Sequence, residues 1–581
     1  MLRSVYRSQT GMSVLHKDLE SDSVTQAFLP VEWMHRGSNV RISMGRSPEG
    51  DVDMDTVAQN ENARARRVNR GMVVLPPREE FMSIEGYTHV CVSSELSSDL
   101  ETPISTFMKL RASGEEPCFM LESAENGKTW GRYSFLGFAP TAIARVKDGK
   151  LAIATSGIES QVECACSLEA LFRLVEEARV FVPRAGGGTE VGVLPFDGGA
   201  VGYFGYGTFE FIEDVPLRKE LGVAELPEMM FMFPRRLAVF DHLLSRMRLC
   251  VVAGLPDEAA ERERIYDNAL GELEEMAGRI RQPLTSGCGI DISNAPAAPR
   301  DDFTSVESNV TRESFEGMVS QALEHIFAGD VFQVVVSQRL SMSFEGDPLL
   351  IYRHLRAENP SPYMFYLQLP DVTLVGSSPE PMVTNRAGHA VIRPIAGTRP
   401  RGADADEDTA FALELGTDTK ERAEHIMLVD LARNDLGRVS VPGTVKVTRL
   451  MDIEKYSHVM HMVSEVEGQL TEGSGNYELL RASFPAGTVI GAPKVRASQI
   501  IDSLEPDGRG VYAGAVGYLS YSGDMDTCIT IRTVVIRDGM AYVQAGAGIV
   551  ADSDPGCEYE ETLNKARAVI RAVRAAGKEV T

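Results

Sequence analysis

Short runs of alternating hydrophobic and polar residues recur along this chain, and several of them come in pairs. TAIARV and LAIA flank Asp148-Gly149, and CITIRTVVIR and MAYVQAGAGIV flank Asp538-Gly539. Alternation of this kind predicts half-buried strands, and an Asp-Gly pair between two such runs predicts a β-hairpin. Hairpins outnumber strand–helix–strand units, so we predict largely antiparallel sheets.

Helical spacing of apolar residues marks other segments. Residues 167–179 show it, and so does the segment from Thr311 to Phe327, where Thr311 is the predicted N-cap. Two further helices are predicted in KERAEHIMLVDLARNDLGR and EYEETLNKARAVIRAVRAA. The fold class predicted from these patterns is α+β, with long helices packed outside the sheets.

The chain divides into four predicted regions. Residues 1–86 are mostly polar and show neither the helical nor the strand period of apolar residues. We interpret them as a flexible N-terminal extension, or as sequence upstream of a true start at Met72 or Met82. Residues 87–281 form a predicted N-terminal lobe. Residues 282–303, rich in Pro, Gly, Ser and Ala, are predicted to be a linker or surface loop. Residues 304–578 form the second lobe.

Charge and cysteine usage narrow the function classes. The 581 residues carry a net charge of -25, which argues against nucleic acid or an anionic membrane as a main partner. No apolar run approaches the length that spans a membrane. The eight cysteines are scattered without a C-x-x-C motif, which is typical of reduced thiols, so we expect a cytoplasmic location.

Two Glu-x-x-Glu pairs lie on predicted helices far apart in the chain, Glu421 with Glu424 and Glu558 with Glu561. Residues three apart are neighbours on a helix, so each pair concentrates negative charge. Carboxylates that face inward repel each other unless a cation lies between them, and oxygen ligands suit Mg²⁺. The alternative is a pair of solvated acidic helix faces, the usual meaning of glutamate-rich helices.

Glycine clusters mark two places where the backbone can approach an anion closely. One is Gly546-Ala547-Gly548 at a strand end, and the other is GTVIGAPK, which includes Thr488 and Lys494. Each cluster is also compatible with a simple tight turn.

Seven motifs in order identify a family. The chain resembles the chorismate-utilising enzymes, and within them the anthranilate synthase component I branch, through VGSSPE (375–380), RPIAGTRPRG (393–402), KERAEHIMLVDLARNDLGRV (420–439), YSHVMHMVSEVEG (456–468), GTVIGAPKVRA (487–497), DTCITIRT (526–533) and QAGAGIVADSDPGCEYEETLNKA (544–566). The resemblance runs from about residue 88 to residue 578. It implies a two-lobed sandwich of antiparallel sheets, with residues 304–578 as the chorismate-binding catalytic lobe.

The resemblance also implies roles. The four glutamates would hold Mg²⁺ directly or through water, and Glu380 would be the general acid that protonates the departing C4 hydroxyl of chorismate. His461 would serve the elimination of pyruvate, although a lone histidine is more often structural. Thr488 would assist catalysis. The residues implied to bind the substrate are Tyr512, Arg532, Gly546, Ala547, Gly548, Lys565, Gly397 and Thr398. For Lys565 the alternative is a helix salt bridge with Glu561.

Two positions separate this chain from similar enzymes. The aminodeoxychorismate synthases usually have a nucleophilic lysine where this chain has Ala396, and isochorismate and salicylate synthases have a lysine base where it has Gln333. Ammonia is therefore the implied nucleophile. The chain lacks a G-x-C-x-G nucleophile elbow, so we expect a separate glutamine amidotransferase subunit and a hetero-oligomer.

A second site is implied in the first half. FMLESAENGKTWGRYSFLG (119–137) resembles the LLES motif of tryptophan-sensitive members, with Met120 in place of the first Leu. The implied regulatory pocket for L-tryptophan comprises Glu122, Ser123, Lys128, Pro362, Tyr363, Met364 and Tyr518. Ordinary core packing is the alternative for the two tyrosines.

The implied activity is anthranilate synthesis from chorismate and ammonia, with feedback inhibition by tryptophan. Two alternatives stay open, an aminodeoxychorismate synthase component I and a non-catalytic regulator that binds tryptophan. Ala396 disfavours the first. The second is disfavoured because Glu380, His461 and all four glutamates are intact.

Overall fold

The computed structural model describes residues 72–111, 117–123, 131–155, 157–183, 194–215, 217, 225–284, 303, 305–456 and 459–578. Most of the predicted extension (1–71) and of the predicted linker (285–302) lies outside these residues. The helices are α1 (Arg78–Ser83), α2 (Pro103–Arg111), α3 (Ser167–Glu176), α4 (Ala259–Ile280), α5 (Arg312–Phe327), α6 (Pro348–Glu358), α7 (Ala405–Thr417), α8 (Thr419–Gly437), α9 (Asn476–Ser483), α10 (Lys494–Leu504) and α11 (Pro555–Lys578).

The described strands number 24 and form one hydrogen-bonded network. They are β1 (Val74–Leu75), β2 (His89–Ser97), β3 (Cys118–Glu122), β4 (Tyr133–Lys147), β5 (Lys150–Thr155), β6 (Ile158–Val162), β7 (Val180–Phe181), β8 (Gly199–Phe204), β9 (Met229–Asp241), β10 (Arg246–Gly254), β11 (Glu307–Ser308), β12 (Gln333–Ser343), β13 (Tyr363–Leu369), β14 (Val372–Ser378), β15 (Pro381–Arg386), β16 (His389–Ile392), β17 (Ile395–Pro400), β18 (Lys446–Lys455), β19 (Val459–Gln469), β20 (Gly491–Ala492), β21 (Ala515–Ser520), β22 (Met525–Ile529), β23 (Thr533–Arg537) and β24 (Met540–Ile549).

The predicted turn and cap signals are present. Asp148 and Gly149 both have positive φ (51° and 73°), as do Asp538 and Gly539 (51° and 74°), which is the backbone that a type I′ hairpin turn requires. Thr311 caps α5 by accepting a hydrogen bond from the Ser314 N–H at 3.2 Å. These local features are therefore confirmed as the sequence predicted them.

Two long strands, β4 and β9, join two antiparallel sheets. They pair along most of their length, with a break in register between Pro140 and Ala142. The first half of β4 also pairs with β3 and the second half with β5. The first half of β9 also pairs with β8 and the second half with β10. One sheet then continues through β13, β14, β23 and β24 to β12, and the other through β21, β22, β15 and β16 to β19.

Three large hydrophobic cores follow from this arrangement, besides a small cluster of Leu415, Met460 and Met462. One lies between the sheets and brings together residues such as Phe119, Val239 and Tyr203. A second lies between the β12–β24 sheet and helices α2, α4, α6 and α11, and a third between the other sheet and helices α3, α8, α9 and α10. Among the described strands only β2 and β7 pair in parallel, so the α+β prediction of largely antiparallel sheets with outer helices is confirmed.

Both halves of the sequence contribute strands to both sheets. In the first sheet β3 pairs with β13, and in the second β8 pairs with β21. The division into lobes at residues 282–303 stays a prediction. No helix in the described part of the chain is both long and apolar enough to cross a membrane.

Residues 72–86 correct the predicted N-terminal extension. Val74 of β1 pairs with Ser94 of β2, and α1 buries Phe81 completely, with its ring 4.9 Å from the Tyr266 ring of α4. Ile84 is also buried. The prediction that this stretch is flexible is wrong, because its few apolar side chains find a partner surface on α4 that no local pattern reveals.

Replacing Phe81 with Ala should lower the free energy of unfolding by about 3–5 kcal/mol, because it leaves a cavity against Tyr266. Chemical denaturation of the full chain would measure the change. The control is Val73→Ala, since Val73 is 77% exposed and its replacement should change stability very little. Equal stability of the two variants would contradict the packing described for α1.

Candidate active site

One cavity of about 2210 Å³, counted with the solvent at its mouth, collects nearly all the residues that the family resemblance implied. Its wall is built from β12, β24 and α11 on one side and from β17, β19 and α8 on the other. The lining includes Glu380, His461, Thr488, Tyr512, Arg532, Gly546, Gly548, Lys565, Gly397, Thr398, Glu421, Glu424, Glu558 and Glu561. Ala547 lies one layer behind this wall, fully buried in the core.

Glu380 occupies the turn between β14 and β15. Its carbonyl accepts a hydrogen bond from the Ile529 N–H at 3.0 Å, which fixes the backbone there. The residue is 8% exposed, and burial raises the pKa of its carboxyl to about 8. The Thr488 side chain and the positive charge of Lys565 act in the opposite direction. Glu380 is therefore a carboxylic acid that keeps its proton at neutral pH.

His461 projects from β19 into the same cavity. Its Nδ1 lies 3.1 Å from the Gly397 carbonyl and 3.0 Å from the Thr398 hydroxyl. A carbonyl oxygen can only accept, so the proton of the neutral imidazole belongs on Nδ1 and Nε2 remains an acceptor. Burial lowers the pKa of His461, with a smaller contribution from Arg532 in the same direction. The site thus holds a neutral imidazole.

Gly397 must be glycine for this arrangement. Its φ is +67°, and a Cβ there would come within 2.8 Å of Leu415 and 3.0 Å of a Glu421 carboxylate oxygen. The residue lies at a register shift where β17 pairs with β19. Ala396, immediately before it, lines the cavity at the position where the similar aminodeoxychorismate synthases have a lysine.

The glycine-rich strand end β24 faces two cationic side chains. Lys565 Nζ donates to the Gly546 carbonyl at 3.0 Å and pairs with Glu561 at 2.6 Å. The salt bridge offered as the alternative for Lys565 is therefore present, together with its place in the cavity wall. Arg532 also lines the cavity, and burial lowers the pKa of its guanidinium.

Tyr512 approaches the same strand. A Cβ on Gly546 would lie 2.7 Å from the Tyr512 hydroxyl, so only glycine leaves room for that hydroxyl. The Thr488 hydroxyl is buried in the cavity wall and makes no hydrogen bond of ordinary geometry among the described residues, yet it is close enough to Glu380 to lower the pKa of that carboxyl. It can turn toward a polar ligand atom that enters the cavity.

The four glutamates face one cavity from two helices. Burial raises the pKa of Glu424, whereas the positive charge of Lys420 lowers it. The negative charges of Glu421, Glu558 and Glu561 raise it further, each by less. Burial likewise raises the pKa of Glu558. The two predicted helices thus meet across the cavity and all four carboxylates line it, with the Glu561 side chain still 47% exposed.

Basic residues offset part of this charge. Arg399 lies 3.0 Å from Glu421, and Lys420 lies 4.0 Å from Glu424. Within the described residues no three acidic, His or Cys side chains are close enough together to hold a metal ion in their present rotamers. The donor set, all carboxylate oxygen, suits Mg²⁺, so these side chains match the ion by chemistry and by shared cavity.

A second cavity, of about 1820 Å³ with its open solvent, lies at the end of β3. It is lined by six of the seven residues implied for tryptophan, namely Glu122, Ser123, Pro362, Tyr363, Met364 and Tyr518. Lys128 lies outside the described residues. Glu122 is buried and accepts a hydrogen bond from the Tyr352 hydroxyl, with Arg356 3.3 Å away.

Sequence reasoning missed several charged residues in this second cavity, among them Arg386 and Asp526. Arg386 and Asp526 form an ion pair at 3.4 Å, and the Tyr363 hydroxyl donates to Asp526 at 2.9 Å. It also missed Arg399 and Asp418 beside the first cavity, which bond to each other at 3.1 Å. No motif marks Arg386 or Asp526 as a pair, because they come from strands β15 and β22, far apart in sequence.

Comparisons with known proteins agree with this geometry. A family model described as chorismate binding enzyme matches residues 116–571. Anthranilate synthase component 1 of Pseudomonas aeruginosa is 45% identical over 512 residues, which cover 87% of this chain and 99% of that protein. The protein of the same name from Acetivibrio thermocellus is 43% identical over 493 residues, or 85% and 97% of the two chains.

Solved structures show the same relationship. The crystal structure of anthranilate synthase component I from Streptococcus pneumoniae superposes with a TM-score of 0.64 at 34% identity, covering 82% of this chain and 99% of that one. A menaquinone-specific isochorismate synthase from Escherichia coli shares the fold alone, with a TM-score of 0.57 at 16% identity over 89% and 100% of the two chains. This chain belongs to the anthranilate synthase component I family of chorismate-binding enzymes.

Proposed function

We propose that the chain is a lyase that converts chorismate and ammonia to anthranilate and pyruvate, in tryptophan biosynthesis and in the cytoplasm. The observation that carries this proposal is the buried, protonated Glu380 in one cavity with His461 and four further glutamates. The names of the relatives support the same reaction. Ala396 argues against the alternative of an aminodeoxychorismate synthase, because an alanine side chain has no nucleophilic group.

Glu380 supplies the proton for the first step. The C4 hydroxyl of chorismate is a poor leaving group until it is protonated, and an acid that is neutral near pH 7 can donate to it. The hydroxyl departs as water when ammonia attacks C2, which gives aminodeoxyisochorismate. Gln333, at the cavity wall, has no basic group to activate water in competition with ammonia.

His461 serves the second step. Its Nε2 accepts the proton from C2 while the enolpyruvyl ether bond breaks, and the ring becomes aromatic. The leaving enolpyruvate gains a proton to become pyruvate. The Nδ1 contact with the Gly397 carbonyl supports this role, because it orients the ring and reserves Nε2 for the substrate.

Cations and backbone groups bind the two carboxylates of chorismate. Arg532 offers a planar pair of donors, Lys565 and Tyr512 add further donors, and the Thr488 hydroxyl is available beside Glu380. Mg²⁺ held by Glu421, Glu424, Glu558 and Glu561 would neutralise a substrate carboxylate that otherwise faces four like charges. Glu424 and Glu561 would then have the ion as a partner in place of Lys420 and Lys565.

A glutamine amidotransferase subunit supplies the ammonia in this proposal. The relatives are named as component 1, which supports the existence of a second component. Free ammonium at alkaline pH can take the place of that subunit, since ammonia itself is the nucleophile.

The second cavity is proposed as a site for L-tryptophan, which would inhibit the enzyme. Its apolar wall includes Pro362 and Met364, and the charged pair Arg386–Asp526 offers partners for an amino acid's carboxylate and ammonium. The Ser123 hydroxyl is buried there with no partner among the described residues. β3 bears Glu122 and pairs with β13, so ligand binding can act on the strand that leads through β14 to Glu380.

The purified chain, mixed with chorismate, Mg²⁺ and ammonium at alkaline pH, should produce anthranilate, detected by its fluorescence. Glutamine in place of ammonium should give no product until an amidotransferase subunit is added. A non-aromatic amino product that accumulates at full rate would contradict the proposal and indicate an aminodeoxychorismate synthase.

Glu424→Gln and Glu561→Gln should each lower kcat/KM by roughly 100-fold or more, about 2.7 kcal/mol of transition-state stabilisation. The amide keeps the shape of each side chain, so thermal unfolding should change little. EDTA should silence the wild type and Mg²⁺ should restore it. Glu560→Gln is the control, because Glu560 lies on the same helix as Glu561 but pairs with Arg312 at 2.8 Å. Full activity in metal-free buffer would remove the metal from the proposal.

His461→Met should still aminate chorismate but stall before pyruvate is lost, because only the second step needs the imidazole. Liquid chromatography should then detect an aminodeoxyisochorismate-like intermediate. His325→Met is the control, since His325 lies on α5 and bonds to Asp330 at 2.8 Å. Anthranilate formation at the wild-type rate would show that His461 is only structural.

Ser123→Phe should keep its turnover and lose inhibition by L-tryptophan, because the aromatic ring fills the second cavity without touching the first. Tryptophan and chorismate should also weaken each other's binding in the wild type, which calorimetry can measure. Ser160→Phe, on the exposed strand β6, is the control. Unchanged inhibition of Ser123→Phe would remove the regulatory site and leave the catalytic proposal standing.

A further inference from the structure

A buried ion pair behind the active-site wall has no part in the chemistry described above. Arg509 and Glu505 have side chains that are 1% and 4% exposed, and they bond at 2.7 Å and 2.9 Å through two guanidinium nitrogens. Glu505 follows the last residue of α10. Both residues line a small cavity that is separate from the candidate active-site cavity, which is called the chorismate cavity below.

The remaining donors of Arg509 reach the wall of the chorismate cavity. One nitrogen donates to the Val489 carbonyl and another to the Val335 carbonyl, each at 2.7 Å. Val489 follows Thr488 in the 3-10 turn, and Val335 belongs to β12. Both residues line the chorismate cavity, so one guanidinium joins two parts of its wall.

Arg509 also contacts a proposed substrate-binding side chain. Its guanidinium carbon lies 5.5 Å from the centre of the Tyr512 ring and 5.0 Å from that of Tyr206. The same pair anchors β12 a second time, because a Glu505 oxygen accepts hydrogen bonds from the Ser337 N–H and hydroxyl, each at 2.8 Å. Three segments of the wall therefore depend on this pair for their relative positions.

A guanidinium is required for this set of contacts. Its rigid planar fork can bond to a carboxylate and two carbonyls in fixed directions while it stacks on aromatic rings. A lysine ammonium has the charge but lacks the plane and the extra donors. A fully buried ion pair adds little stability over apolar side chains of similar volume, so stability alone does not account for it.

We propose that Arg509, held by Glu505, is a positioning residue for the chorismate site. It sets the distance between Thr488, β12 and Tyr512, and through them the place of the substrate against Glu380. This inference rests on the proposed function, because Thr488 and Tyr512 act on the substrate there.

Arg509→Lys in the full chain tests it, with ammonia-dependent anthranilate formation measured well below the unfolding temperature. The expected result is a rise in KM for chorismate of about tenfold and a fall in kcat/KM of at least that size, since small displacements of a binding wall are costly. Glu505→Gln keeps an acceptor for Ser337 and should shift KM in the same direction by a smaller factor. This second variant decides the matter if Arg509→Lys does not fold.

A purely structural role gives a different pattern. Loss of folded protein lowers the apparent kcat in proportion to the folded fraction and leaves KM unchanged. Arg236→Lys is the matched control, because Arg236 pairs with Glu272 at 2.8 Å in a partly buried setting away from the cavity. It should lower the unfolding temperature with KM unchanged.

An unchanged KM in folded Arg509→Lys, or in Glu505→Gln if the first variant does not fold, would overturn the inference. Failure of the proposed function itself is distinguishable, because the wild type would then form no anthranilate.

Discussion

Carboxylates that face one another across a single cavity repel, and the architecture of this protein is arranged around that repulsion. Four glutamates are carried by two helices on different sides of the cavity, so the fold itself has to hold them in place. α11 does so through a row of fully buried residues against one sheet, including Val569, Ile570 and Val573. α8 packs on the other sheet, where buried His425 bonds to Ser464 at 2.6 Å. The free energy of packing holds together charges that would separate in an open chain.

The cavity uses two different ways to stabilise a carboxyl group, and they lead to different chemistry. Glu421 and Glu561 form salt bridges with Arg399 and Lys565, at 3.0 Å and 2.6 Å. Glu380 has mainly apolar burial, which raises the pKa of its carboxyl and keeps it protonated. One cavity thus contains both salt-bridged glutamates and a buried glutamate that holds a proton, as the proposed roles of metal ligand and general acid would require. The difference between these side chains depends on where each residue lies in the fold, since all of them are glutamates.

The local features of this fold were predictable from sequence, and its long-range joins were not. Asp538-Gly539 predicts its hairpin because both turn residues must adopt positive φ, and the Thr311 cap depends only on its own helix. The site residues followed from ordered motifs that resemble a known family. By contrast, Phe81 lies in a mostly polar stretch, and only the surface of α4 explains its burial. The Arg386–Asp526 pair and the Arg509 network likewise join segments whose proximity arises from sheet pairing, for which the sequence contains no local signal.

Catalysis as proposed depends on Glu380 being a protonated acid at neutral pH before the substrate binds. Infrared difference spectroscopy of the wild type against Glu380→Gln, recorded across a pH series, isolates the carbonyl signal of this one carboxylic acid from the other glutamates. We expect a protonated-carboxyl signal at neutral pH that disappears with a midpoint near pH 8 and is absent from the variant. A Glu380-dependent signal that disappears near pH 4.5, the ordinary value for glutamate, would contradict it.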